Sequence, residues 1–139
     1  MLLGLNHITF AVQNIERSLA FYRDVLGFEL HARWKRGAYL TIGDCWLCLS
    51  LDPSSSPSKG YSHIAFSIDA QSFSSFQRTL AEQGVEMWKE NVSEGDSVYF
   101  VDPDGNRLEA HVGDLKSRLN AMRAEPFEGQ CVVSEILGR

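Results

Sequence analysis

The chain repeats itself. Residues 5–14, LNHITFAVQN, align with residues 61–70, YSHIAFSIDA, so that His7 falls on His63 and a similar apolar alternation follows each histidine. A repeat constrains a fold strongly, because each copy must form the same supersecondary unit and bury the same face. In both copies the first strand runs into a helix, IERSLAFYRDVLG and then QSFSSFQRTLAEQG. Ile15, Leu19, Tyr22, Val25 and Leu26 recur at helical spacing, as do Phe73, Phe76 and Leu80. Gly27 and Gly84 suit the left-handed position that closes such helices.

Three strands follow in each copy, at about 28–34, 37–43 and 45–51, then at about 85–90, 97–102 and 106–112. GD at 43–44 and DPDG at 102–105 turn the last hairpin of each set. The pattern predicts an α+β fold of tandem βαβββ modules forming a curved mixed sheet. A single domain covers 1–139, with module one at about 1–51 and module two at about 61–112. DPSSSPSKG, 52–60, reads as the linker between them. A C-terminal helix and tail fill 113–139, the helix at about 114–124 behind Asp114 as N-cap.

Composition narrows the function classes. A hydrophobic content of 44% over 139 residues supports a real core. The net charge of −5 argues against a nucleic-acid surface, which needs a basic stripe. The opening MLLGLNHITF lacks a basic n-region and meets Asn6 and His7 early, so it does not read as a signal peptide. No apolar run is long enough for a membrane span. Three cysteines, Cys45, Cys48 and Cys131, cannot all pair within one chain, which fits a reducing cytoplasm. CWLC at 45–48 has the spacing of a redox pair, but it lies in a strand pattern that points the two thiols to opposite faces.

Strand alternation sorts the candidates. His7, Thr9 and Ala11 share one face of the first strand, and His63, Ala65 and Ser67 share the matching face of its counterpart. The other, more apolar faces should meet the helices. On the last strand, Arg107, Glu109 and His111 oppose Leu108, Ala110 and Val112. A charge at such a position must face water, a partner or a ligand. Aligning the hairpins across their unequal turns sets Cys48 opposite Glu109. The repeat therefore offers four related positions: His7, Cys48, His63 and Glu109. Two histidines and one carboxylate leave coordination positions open, which suits a divalent catalytic metal. His111 competes for that role because it shares Glu109's face. His31 falls outside the repeat and reads as a surface residue.

These residues and their surroundings resemble a known family. GLNHITFAV, SLAFYRDVLGF, RGAYL, WLCLS and EGDSVYFVDPDGNRLEAHVGDLKSRL are similar to the FosA-type fosfomycin resistance proteins of the vicinal oxygen chelate (glyoxalase/bleomycin resistance/dioxygenase) superfamily. The resemblance runs over about residues 1–128 and leaves out the tail QCVVSEILGR, to which no function is assigned. It implies a metal-dependent glutathione transferase that opens the epoxide of fosfomycin by thiol addition and confers antibiotic resistance. It also implies a domain-swapped homodimer whose metal cups draw on both chains. Mn(II) would be held by His7, His63 and Glu109, with Cys48 a neighbour of the metal.

The resemblance assigns further roles. Thr9 and Tyr39 are the candidate catalytic residues, Thr9 beside the attacking sulfur. Lys89, Ser93, Ser97, Tyr99 and Arg118 match phosphonate-contacting positions. Asn91, Ser93, Gly95 and Ser97 match a loop that binds potassium as an activator. Trp34, Trp46, Ser50 and Tyr61, with Tyr39, match the lining of the thiol channel. Three rival readings carry less. An iron dioxygenase or isomerase has no evident use for Lys89, Arg118 and the serine-rich loop. A hydratase wants a carboxylate base that WKRGAYL, 34–40, does not offer. A non-catalytic drug-binding protein needs no complete metal triad.

Overall fold

The computed structural model describes residues 1–57 and 59–133; Ser58 of the linker and the end of the tail, 134–139, lie outside the described residues. The order is β1 (His7–Val12), α1 (Ile15–Leu19), a π-helical stretch (Ala20–Val25), β2 (Glu29–Trp34), β3 (Gly37–Ile42) and β4 (Cys45–Leu51). It continues as β5 (Ile64–Ser67), α2 (Ala70–Glu82), β6 (Met87–Lys89), β7 (Ser97–Val101), β8 (Arg107–His111) and α3 (Leu115–Ala124). Side chains start each helix by accepting otherwise orphaned backbone N–H groups: Asn14 from Arg17, Asp69 from Ser72, and Asp114 from Ser117 in a reciprocal capping box. Gly27 and Gly84, at φ +85° and +67°, lie just past the ends of the first two helical segments, as their spacing predicts.

The first helical segment departs from the simple expectation. After one α-helical turn it widens, and the Leu26 N–H donates to the Phe21 carbonyl at 3.0 Å, an i to i+5 bond. Two consecutive aromatic residues, Phe21 and Tyr22, are both buried there.

Each βαβββ unit makes its own four-stranded mixed sheet, ordered β1-β4-β3-β2 and β5-β8-β7-β6. β1 runs parallel to β4 and β5 parallel to β8, while the hairpin strands pair antiparallel. The registers coincide. Thr9 pairs with Cys48, which pairs with Tyr39; Ala65 pairs with Glu109, which pairs with Tyr99. Cys48 and Glu109 thus hold the same place in the two sheets, as the alignment of the halves predicts.

The apolar faces meet the helices in one continuous core. Phe10 lies 6.0 Å from Tyr22, Phe28 5.5 Å from Phe66, and Phe100 5.7 Å from Phe76, ring centre to ring centre. Burying each such ring is worth about 1.5–3 kcal/mol. The DPDG turn adds a polar tie across the repeat. Asp102 is 3% exposed and accepts a 2.6 Å hydrogen bond from the Tyr22 hydroxyl. Asp104 accepts from the Gln13 N–H at 2.8 Å and from Arg17 at 3.1 Å. Both carboxylates also cap backbone N–H groups or hydroxyls, so their burial leaves them well satisfied. No helix among the described residues is long and apolar enough to cross a membrane.

Candidate metal and substrate site

The polar face of the second sheet is built around Glu109. Alternation turns it away from the helices, and it is 6% exposed. Its Oε1 lies 3.0 Å from His63 Nε2, and its Oε2 accepts from the Ser97 hydroxyl at 2.6 Å. His63, just ahead of β5, also sets Nδ1 at 3.0 Å from the Tyr61 carbonyl. A carbonyl only accepts, so Nδ1 carries the proton in that bond. Nε2 then faces a carboxylate oxygen, and the two atoms at that distance share either a proton on Nε2 or a metal ion. This donor set fits a divalent metal, with the second imidazole nitrogen oriented by the backbone as metal-binding histidines usually are.

Aromatic side chains wall the same face. β6 carries a bulge between Met87 and Lys89, which brings the consecutive residues Trp88 and Lys89 both against Tyr99. Trp88 lies 5.4 Å from the His63 ring and 5.3 Å from Tyr99. Lys89 Nζ sits 4.5 Å from the Tyr99 ring centre and 5.6 Å from that of Tyr61. Hydrogen bonding to Tyr61, with desolvation working against it, holds the Lys89 ammonium above its ordinary range.

The 91–97 loop closes one end of this face. The Asn91 amide donates to the Gly95 carbonyl at 2.8 Å, while Asn91 Oδ1 accepts from the Ser93 N–H and hydroxyl. Gly95 has φ +77°, a left-handed conformation that L side chains avoid. Arg118, on α3, pairs with Glu94 at 3.1 Å and shares a surface recess with Ser93. It is placed beside this loop.

The first sheet carries the remaining candidates apart from these. His7 is exposed on β1, its Nδ1 2.7 Å from Asn6 Oδ1 and its ring 4.5 Å from Trp46. Tyr39 stands edge-on to Trp46 at 5.4 Å and to Trp34 at 4.7 Å. Thr9 and Ser50 are exposed on neighbouring strands, and Cys48, paired with Thr9 on one side and Tyr39 on the other, is buried. Tyr61, grouped by resemblance with Trp34 and Trp46, instead lies against His63 and Trp88. Among the described residues, no three His, Cys, Asp or Glu side chains of one chain come together as a metal site.

Cys45, Cys48 and Cys131 are free, and burial raises the Cys45 thiol above its ordinary range, the opposite of an activated redox cysteine. His31 is a surface residue that bonds Thr41 at 2.7 Å. Trp88, Glu94 and Asp102 escape the sequence reading. The bulge in β6 breaks the alternation that would have flagged Trp88, and ion pairing across 24 residues leaves no local trace of Glu94 and Arg118.

Comparison with known proteins places this architecture. Residues 4–110 match the model of the Glyoxalase/Bleomycin resistance protein/Dioxygenase superfamily. The glutathione transferase FosA of Serratia marcescens is 45% identical, over 97% of this chain and 99% of its own length. The chain belongs to the glyoxalase superfamily and to its fosfomycin resistance proteins. Within that family, the metallothiol transferase FosB of Staphylococcus epidermidis is 38% identical, over 88% of this chain and 90% of its own. A mutant of the fosfomycin resistance protein FosX from Listeria monocytogenes, solved with Mn(II) and 1S,2S-dihydroxypropylphosphonic acid, superposes with a TM-score of 0.77. It is 28% identical and covers 86% of this chain and 99% of that one.

Proposed function

We propose that the protein is a metal-dependent glutathione transferase that opens the epoxide of fosfomycin by thiol addition and so confers resistance to it. The observation that carries this reading is the pairing of His63 Nε2 with Glu109 Oε1 at 3.0 Å, in a chain 45% identical to a FosA glutathione transferase. His63 and Glu109 supply two ligands, and His7 supplies the third from the partner chain of a domain-swapped homodimer. Mn(II) is the cation of choice, since nitrogen and carboxylate donors with open positions suit it and a related structure holds it. Bound there, the ion supplies Lewis-acid stabilisation of the charge that develops on an epoxide oxygen.

The chain's own residues do the rest. Lys89 and Arg118 offer charge-assisted contacts to phosphonate oxygens, Arg118 as a planar fork and Lys89 as a point charge. Ser93 and Tyr99 offer hydroxyl protons to the same oxygens, while the Ser97 proton is turned to Glu109 Oε2. The oxygens of Asn91, Ser93, Gly95 and Ser97 form the potassium loop, and potassium activates the enzyme. Thr9 donates a hydrogen bond that favours the glutathione thiolate, because bonding to the charged form stabilises it. Tyr39, on the same sheet as Thr9, joins it at the reacting thiol, and Trp34, Trp46, Ser50 and Tyr61 line the channel. We place the reaction in the cytoplasm, in keeping with three free cysteines and a thiol co-substrate.

Mass spectrometry of fosfomycin, glutathione and Mn(II), with and without protein, tests the reading. A protein-dependent adduct of intact drug and thiol is the expected product. A diol without sulfur overturns the transferase reading in favour of water addition, and unchanged drug overturns both.

A further inference from the structure

Glu109 has two oxygens, and only one of them faces His63. The other is occupied. Ser97 Oγ lies 2.6 Å from Glu109 Oε2 and 2.6 Å from His111 Nδ1. A hydroxyl has one proton, and the carboxylate can only accept, so the Ser97 proton goes to Glu109. The short contact to His111 then requires Nδ1–H to donate to Ser97 Oγ, the same nitrogen lying 3.5 Å from Glu109 Oε2 itself. Hydrogen bonds aligned head to tail in this way strengthen one another. The opposite tautomer would leave a carboxylate and an imidazole lone pair competing for one hydroxyl proton.

The imidazole is held as if for this purpose. A Cβ on Gly95 would stand 3.0 Å from His111 Cε1 and 2.5 Å from the Val112 carbonyl oxygen. A Cβ on Gly113 would stand 3.0 Å from His111 Nε2. Backbone at both glycines therefore lies close against the ring. The ring's position is tied to the 91–97 loop on one side and to the start of the C-terminal helix on the other. The side chains of His111 and Glu109 are 15% and 8% exposed.

We infer that His111 is a positioning residue. Through Ser97 it engages Glu109 Oε2 and leaves Oε1 to the cation that His63 also faces, so that the 91–97 loop, the ring and the metal carboxylate form one connected unit. This rests on Glu109 and His63 being ligands, as proposed above. It also gives His111, on the same strand face as Glu109, a role other than ligation.

Mn(II) affinity is read by electron paramagnetic resonance of the free ion, without glutathione or fosfomycin, so the outcome is independent of whether the transferase reading holds. His111→Phe keeps the ring volume and removes the donor; it should weaken Mn(II) binding about ten- to a hundredfold, as loss of outer-sphere partners does. His111→Asn places an amide nitrogen near the position of Nδ1 and should recover most of that loss. Ser97→Ala cuts the relay at its centre, and the double variant with His111→Phe should bind no worse than the weaker single variant. Additive losses, or His111→Asn as weak as His111→Phe, would mean that His111 acts by packing alone and would overturn the inference. So would wild-type affinity in His111→Phe. A wild-type protein that binds no Mn(II) removes the ligand reading itself.

Discussion

Lys89 sits against two tyrosine rings, which favour its charged form. Tyr61 and Tyr99 offer π-faces and hydroxyl groups that favour the charged ammonium, and the shift in its titration is upward. Among the described residues no ion pair ties this ammonium to a carboxylate, in keeping with the phosphonate contact proposed above. Lys89→Ala should raise the fosfomycin KM about ten- to a hundredfold, the cost of one charge-assisted contact of about 1.5–3 kcal/mol. Mn(II) affinity should stay as in the wild type, because Lys89 touches neither His63 nor Glu109. Steady-state kinetics beside a metal titration separates the two; equal loss of both would show that Lys89 supports the metal face instead.

Between elements, the helix of the first unit is locked to the turn of the second. The buried Tyr22 hydroxyl bonds to Asp102, and burial followed by the nearby Asp102 charge raises Tyr22 well above its ordinary value of 10.0. The sign follows from linkage: the fold favours the protonated phenol. Its contribution is complete below pH 10 and declines as pH rises beyond the unfolded-state value. Tyr22→Phe should cost about 1.5–3 kcal/mol at pH 7, the range for a hydrogen bond to a charged group. That deficit should shrink above pH 10, because the variant has no phenol to ionise. Urea titrations at neutral and alkaline pH check this; a deficit that does not change with pH would assign the stabilisation to ring packing.

On the scale of the whole molecule, the proposed ligands stand on two different sheets of one chain. His7 stands with Trp46 on the first sheet, while His63 bonds Glu109 on the second. If the cup is shared between subunits, two inactive proteins can repair each other. His7→Ala and Glu109→Ala, mixed in equal amounts, form mixed dimers in which one site collects both lesions and the other none. About half of the dimers are mixed and half of their sites are intact, so activity returns to about a quarter of wild type by two-fold symmetry. Native mass spectrometry confirms the exchange. Mixed dimers without any recovered activity would show that each site is completed within a single chain.

By itself the sequence determined the repeat, the element order and the strand faces, because period-two alternation and helical spacing are local properties of the chain. It also determined that Cys48 and Glu109 share a register, since hairpins pin strand pairing wherever one face is buried. His7, His63 and Glu109 stood out for the same reason as candidate metal ligands, with His111 competing, and the family resemblance implies the full set. The tertiary structure alone decided which of them meet. It joined His63 to Glu109 across 46 residues and turned Ser97 and His111 onto the far oxygen of the same carboxylate. It also brought Trp88 onto the site through a bulge, and paired Arg118 with Glu94. Distances between side chains on different strands depend on sheet twist, bulges and rotamers, and these are set by packing of the whole chain rather than by any short stretch of it.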